Sequence, residues 1–309
     1  MILSKIYVRV FFLISICFSV LNVSVASSEI CTDSDTSITS SKWQAIAFIK
    51  TIDTLPSSIY WPNVKPKLFL ENLRSNIYSP LKIYEGISTN FCGYAALSYL
   101  LLHDDPVGYA KFMIQLFQQG EATMGKVLFH PSTAINQTAG ALKFKGVLDI
   151  RPADQMWFLS LADHFKGYLN VFDHRYDAGD EDKLWASVNY AKFNRMVREL
   201  LHYKVDAKGS DMIHPGTSNT YEYIKSKMKS GVMVLYVNNT FLYKKKHTAL
   251  KLGFPTHYII LQDINKTGET ITITYWDYGG RSLRQMTPAF LRRITFGISH
   301  CTKKLNGVE

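Results

Sequence analysis

Residues 257–277, HYIILQDINKTGETITITYWD, decide the fold. Two β-branched, apolar-rich runs, 257–264 and 270–276, flank a short polar segment containing Gly268, the signature of a β-hairpin. With Lys266-Thr267-Gly268 as the loop, and Gly268 in the left-handed position such loops require, His257 and Asp277 face each other at the open end. A carboxylate opposite an imidazole fixes its tautomer and stabilises its protonated form. A slip of one residue would put the two side chains on opposite faces, so the pairing depends on register. Taken singly, His257 also reads as a satisfied polar residue at a strand start. Asp277, ahead of Tyr278-Gly279-Gly280, also reads as a turn initiator.

Working outward, VMVLYV (232–237) and ITFGIS (294–299) are further strand-like runs. Upstream of Gly231 the character is helical. CGYAALSYLLL (92–102) is apolar nearly throughout and predicts a buried helix, and helical patterns recur at 41–55, 108–119, 132–145, 153–166, 183–204 and 218–229. Residues 56–90 mix proline, aromatics and asparagine and read as irregular. Helices followed by strands predict an α+β fold, with helices packed on one side of an antiparallel sheet. With no Pro/Gly/Ser linker in between, residues 27–309 are expected to form one domain.

The chain has 309 residues, 47% of them apolar and 19% charged, values of a folded globular protein that exclude a largely disordered chain. No short period repeats, and beyond the N-terminus no apolar run approaches the roughly 20 residues of a membrane span. The net charge of +10 is spread out, its tightest cluster being Lys244-Lys245-Lys246 beside His247. With no Lys/Arg stripe along a helix and no nucleic-acid motif, this predicts a solvated basic surface and no nucleic-acid partner.

Residues 1–26 read as a secretory signal peptide. Lys5 and Arg9 form the basic start, Val10 to Val20 the apolar stretch, and Ser24-Val25-Ala26 the small residues before a cleavage site near Ala26. The mature chain is then expected to be periplasmic or extracellular, touching membrane only through the signal peptide. Cleavage leaves Cys31, Cys92 and Cys301, an odd number in an oxidising compartment. Chain ends are often close in a compact domain, so a Cys31–Cys301 bridge that leaves Cys92 free is expected, with three unpaired cysteines as the alternative.

Cys92 follows Ser88-Thr89-Asn90, good helix-capping residues, and so falls in or beside a first helical turn. Unpaired N–H groups and the helix dipole there favour a thiolate. Gly93 would let a substrate approach the backbone. The alternative is a buried structural cysteine. The residues hold no phosphate-binding glycine loop and no CxxC or HxxxH pair, so neither cofactor nor metal is expected.

Asn90-Phe91-Cys92-Gly93-Tyr94-Ala95-Ala96-Leu97 resembles the nucleophile helix of papain-like cysteine peptidases, nearest their bacteriocin-leader-processing branch. His257-Tyr258-Ile259-Ile260-Leu261 and Ile273-Thr274-Tyr275-Trp276-Asp277-Tyr278-Gly279 are similar to that branch's histidine and aspartate strands. The resemblance covers about 45 residues in two blocks. It implies a papain-like fold with a helical insertion at about 103–230, and a Cys92-His257-Asp277 triad cleaving amide bonds of a protein or peptide through an acyl-thioester. Such peptidases carry an oxyanion-hole glutamine six residues before the cysteine. Here that position is Gly86, which leaves Asn90 as the nearest amide and the Cys92 N–H as the second donor. A wall-peptide amidase, a transglutaminase-like acyl transferase and a catalytically inactive papain-like binding protein are the other readings.

Overall fold

The computed structural model describes residues 38–86, 88–142, 150–166, 168, 176–177, 179–239, 242 and 255–303. The expected signal peptide (residues 1–26), Cys31 and the Lys244–Lys246 cluster lie outside them. Within the unit that begins at Asp35, helices and an antiparallel sheet combine into an α+β fold. The helices are α1 (Lys42–Lys50), α2 (Pro66–Tyr78), α3 (Cys92–Asp104), α4 (Pro106–Gln119), α5 (Thr133–Thr138), α6 (Pro152–Phe165), α7 (Tyr190–Leu200), α8 (Thr220–Lys227) and α9 (Pro288–Ile294). A small hairpin joins β1 (Ala122–Met124) to β2 (Val127–Phe129). The main sheet contains β3 (Tyr203–Gly209), β4 (Val232–Val237), β5 (His257–Thr267), β6 (Thr270–Asp277), β7 (Gly280–Met286) and β8 (Thr295–Lys303), in the spatial order β3-β8-β4-β5-β6-β7.

Local chemistry explains most boundaries. Ser41 and Gln44 form a reciprocal capping box at α1. Asp105 caps α4, Pro106 opens it, and Gly120 closes it in the left-handed region at φ +75°. Asn189 caps α7, so this helix starts at Tyr190 and not at 183. Residues 203 and 204, expected at the end of that helix, open β3 (203–209) instead. Residues 66–78, expected to be irregular, form α2, which Pro66 opens and which buries Phe69, Leu70, Leu73 and Ile77 at helical spacing.

The sheet is covered on both faces, a correction to the expected one-sided packing. Val234, Tyr236, Tyr258, Ile260 and Trp276 face the larger core, built with the helices of the first 200 residues. Met233, Leu235, Ile259, Leu261, Ile273 and Tyr275 face a second core with Ile224 of α8 and Leu291 of α9. That two-sided burial is why β4 is a continuous apolar run with no polar alternation. Helix α3 runs through the larger core with almost every residue buried.

The β5–β6 hairpin departs from the expected register. Thr267 pairs with Thr270, so the loop is Gly268-Glu269, with Gly268 at φ +57°. Continued without change, that register would put His257 and Asp277 on opposite faces. A bulge between Leu261 and Asp263 shifts the ladder by one residue, and beyond it Ile260 pairs with Trp276. Extended outward, the shifted ladder sets His257 and Asp277 on one face as diagonal neighbours, two residues from the directly opposed arrangement.

Candidate functional site

Cys92 is the first residue of α3. Its cap residue is Phe91, whose side chain makes no capping bond, so the expected Ser88-Thr89-Asn90 cap is not formed. The half-buried sulfur lies 3.7 Å from the carbonyl oxygen of Thr256. The backbone N–H groups of Tyr258, Gly93 and Cys92 itself act on it in the direction that favours a thiolate. The sulfur is thus held between backbone groups on either side of His257. Gly93 is buried, and a Cβ there would meet the Val188 Cβ at 3.0 Å and the Tyr258 ring at 3.3 Å. Its lack of a side chain serves close packing of α3 on β5, not substrate approach as expected.

Removal from water works against the thiolate. Burial first, and then the Glu85 carboxylate, push the Cys92 thiol up to about 12, against the lowered value expected at a helix start. Three N–H donors do not offset the lost hydration. At rest Cys92 is therefore a thiol.

His257 opens β5 and is buried. Its Nε2 lies 3.4 Å from Asp277 Oδ2, a contact without hydrogen-bond geometry. Asp277 Oδ1 accepts a 3.1 Å hydrogen bond from the Ser282 hydroxyl on β7. The His257 ring stacks on Tyr278, with centroids 4.4 Å apart and planes 12° off parallel. Tyr278 and Gly279 form the two-residue loop between β6 and β7, and both have positive φ, +43° and +71°. A tyrosine in the left-handed region costs about 1–2 kcal/mol. The strain sets its ring against His257, and its hydroxyl accepts from Asn239 Nδ2 at 2.8 Å.

Asn90 is not free to serve an oxyanion. Its Nδ2 donates to the carbonyl oxygens of Asp182 (2.7 Å) and Lys183 (2.9 Å), which uses both amide hydrogens. Its backbone N–H bonds to the Glu181 carbonyl. Asn90 clamps the segment ahead of Cys92 to the 180–183 turn. Cys301 is a free, buried thiol on β8, pushed up to about 12 by burial; its expected partner Cys31 is outside the described residues.

The residue that sequence reasoning missed is Glu85. Gly86 sits at φ +87°, where a Cβ would crowd Ile150 at 3.1 Å and Thr89 at 3.2 Å, so the expected glutamine has no room at that position. The residue before it turns inward instead. Glu85 is 1% exposed, and its Oε2 has no hydrogen-bond partner. Burial, with the Asp277 carboxylate adding to it, pushes its carboxyl up to about 8. The signal was available: Glu85 is the one acid in 83–102.

Unpaired buried polar atoms concentrate here. Among the described residues six such side-chain atoms occur, and four belong to Glu85, Tyr94, Asn239 and His257. Tyr94 and Tyr278 both feel the charge of Cys92, and Asn239 touches Tyr278. Folded proteins pair such atoms nearly always, so the cluster sets this region apart from the rest of the core. A separate cavity, lined by Leu101, Asp104, Lys111 and His202, lies toward the far end of α3.

Comparison with protein-family models, curated proteins and solved structures finds no match to this chain. The case for a site therefore rests on its own geometry. Among the described residues no group of three or more His, Cys, Asp or Glu side chains could hold a metal ion, and no helix is long and apolar enough to cross a membrane.

The buried acid makes a prediction about stability. An unfolded Glu85 ionises near its ordinary 4.5, while the folded one keeps its proton to about 8. The folded state therefore binds the extra proton between those values, and stability falls as pH rises across that window, at about 1.4 kcal/mol per unit for a single such group. Glu85→Gln lacks this dependence. Melting curves of the variant and the parent should converge near pH 4, with the variant gaining steadily toward pH 8.

Proposed function

We propose that this chain is an exported cysteine hydrolase of papain-like architecture that cleaves amide bonds in a protein, peptide or wall-peptide substrate. The observation that carries the reading is the position of the Cys92 sulfur: at a helix start, between the Thr256 carbonyl and the Tyr258 N–H, beside a histidine that an aspartate faces. His257 takes the thiol proton as Cys92 attacks the carbonyl carbon, and the C=O π electrons move to oxygen. Asp277, held by Ser282, steadies the imidazolium. The oxyanion collapses, the C–N bond breaks, and His257 returns the proton to the leaving amine. Water then adds to the thioester with His257 as base, releasing acid and restoring the thiol.

The thiol's high resting value and the engaged Asn90 amide favour a second reading, an inactive binding protein that keeps the cleft. Acyl trapping separates the two. The mature chain is mixed with p-nitrophenyl acetate, quenched in acid and digested, and its peptides are weighed. The hydrolase reading expects an acetyl group on the Cys92 peptide, formed and lost with turnover. Acetylation confined to lysines, with Cys92 unmodified, would establish the binding reading.

A further inference from the structure

We infer that Glu85, carrying its proton, donates the hydrogen bond that stabilises the oxyanion, the role that Asn90 does not fill. The inference rests on the hydrolase reading and deepens it.

The segment that carries Glu85 is fixed to the site from three sides. The Trp276 indole N–H, from the last turn-proximal part of β6, donates to the Leu81 carbonyl at 2.8 Å. Gly279, in the loop that carries Tyr278, packs so closely that a Cβ would lie 3.1 Å from the Ile83 carbonyl oxygen. The Thr89 hydroxyl, just before the nucleophile, donates to the Glu85 carbonyl at 2.6 Å. Glu85 is thereby tied to the loop that leads to Cys92 and to the turn that follows Asp277. The electrostatic couplings agree with this placement: Glu85 acts on Cys92 and on Tyr278, and Asp277 acts on Glu85.

A carboxyl group in this position has two possible states, and only one fits the chemistry. Ionised, it would face the Asp277 carboxylate, the Cys92 sulfur and the Tyr278 hydroxyl, and would oppose both the thiolate and the developing oxyanion. Neutral, it supplies one O–H donor. Its Oε2 is buried with no acceptor in reach, an arrangement that a folded chain rarely keeps without a use. A substrate carbonyl oxygen at Cys92 would be that acceptor. A carboxylic acid held neutral by burial can serve as an oxyanion donor in this way. In the step itself Glu85 keeps its proton throughout. The thiol proton moves to His257, the S–C bond forms, and the oxyanion shares the Glu85 hydrogen until the C–N bond breaks.

The test compares two reactions at one sulfur. Acylation by p-nitrophenyl acetate builds an oxyanion; alkylation by iodoacetamide does not. Dividing the first rate by the second removes the titration of the thiol. Glu85→Ala is expected to lower this ratio by about 10²–10³, the usual loss of an oxyanion donor. In the parent the ratio should fall about tenfold per pH unit above the Glu85 titration near 8, and Glu85→Gln, whose amide does not titrate, should flatten that limb. Parallel loss of both rates in Glu85→Ala, or the same alkaline fall in Glu85→Gln, would overturn the inference while leaving the hydrolase reading in place. A parent chain alkylated at Cys92 but never acylated there would overturn both.

Discussion

Cys92→Ala should abolish amide turnover, with a loss of about 10⁵–10⁶, the scale at which enzymes that act through one nucleophile fail when it is removed. The substitution is structurally mild. Cys92 is half-buried, its sulfur contacts among the described residues only backbone groups of Thr256, Tyr258, Gly93 and its own residue, and alanine favours helix at the first position of α3. The melting temperature should therefore stay within a few degrees of the parent while hydrolysis disappears. Steady-state assay of the variant beside its melting curve checks this. A variant that keeps turnover would remove Cys92 from the chemistry. The variant also isolates the electrostatics, because the Glu85 titration in its melting profile should persist without the sulfur.

How much of this site was legible in the sequence depends on how far each residue's environment is local. Strand β4, the first half of β5 and helix α3 are readable because two-sided burial leaves continuous apolar runs, and β6 because its isoleucines alternate with threonines. Of the main sheet, the two strands that the sequence pattern does not announce, β3 and β7, are the two edges. Their residues are mixed and charged, YKVDAKG and GRSLRQM, as edge strands need to be if they are to resist pairing with another chain. Missing β7 also hid Ser282, the partner of Asp277.

The His257–Asp277 juxtaposition was reached through the wrong register. A three-residue loop was assumed; the loop has two residues, and a bulge near Gln262 restores the shared face. Nothing in the one-dimensional pattern announces that bulge, because HYIILQDI alternates poorly once both faces are buried. Glu85 was passed over for a similar reason. Its importance comes from segments 81–85, 92 and 276–279 meeting in space, which neither spacing nor composition encodes. Asn90 is the nearest amide in sequence, but the turn at 180–183 that occupies it lies some 90 residues away.

Replacing His257 by alanine tests whether these residues act as one unit. Burial holds the Cys92 thiol well above its ordinary range, so a site without its base holds very little thiolate at neutral pH. His257→Ala should therefore lose about 10⁴–10⁵ in turnover, with a residual rate that climbs tenfold per pH unit well past pH 9 as hydroxide takes over deprotonation. Tyr278 would lose its stacking partner, so some loss of stability is expected as well. Two further measurements separate chemistry from packing. Added imidazole can enter the space left by the ring and accept the thiol proton, so it should raise the variant's rate in proportion to its concentration; a purely structural histidine would give no such rescue. The Cys92→Ala, His257→Ala double variant should be no slower than Cys92→Ala alone, because a base without a nucleophile has nothing to deprotonate. Additive losses in that cycle would mean that the two side chains contribute separately, and the placing of Cys92 against the start of β5 would then be an accident of packing.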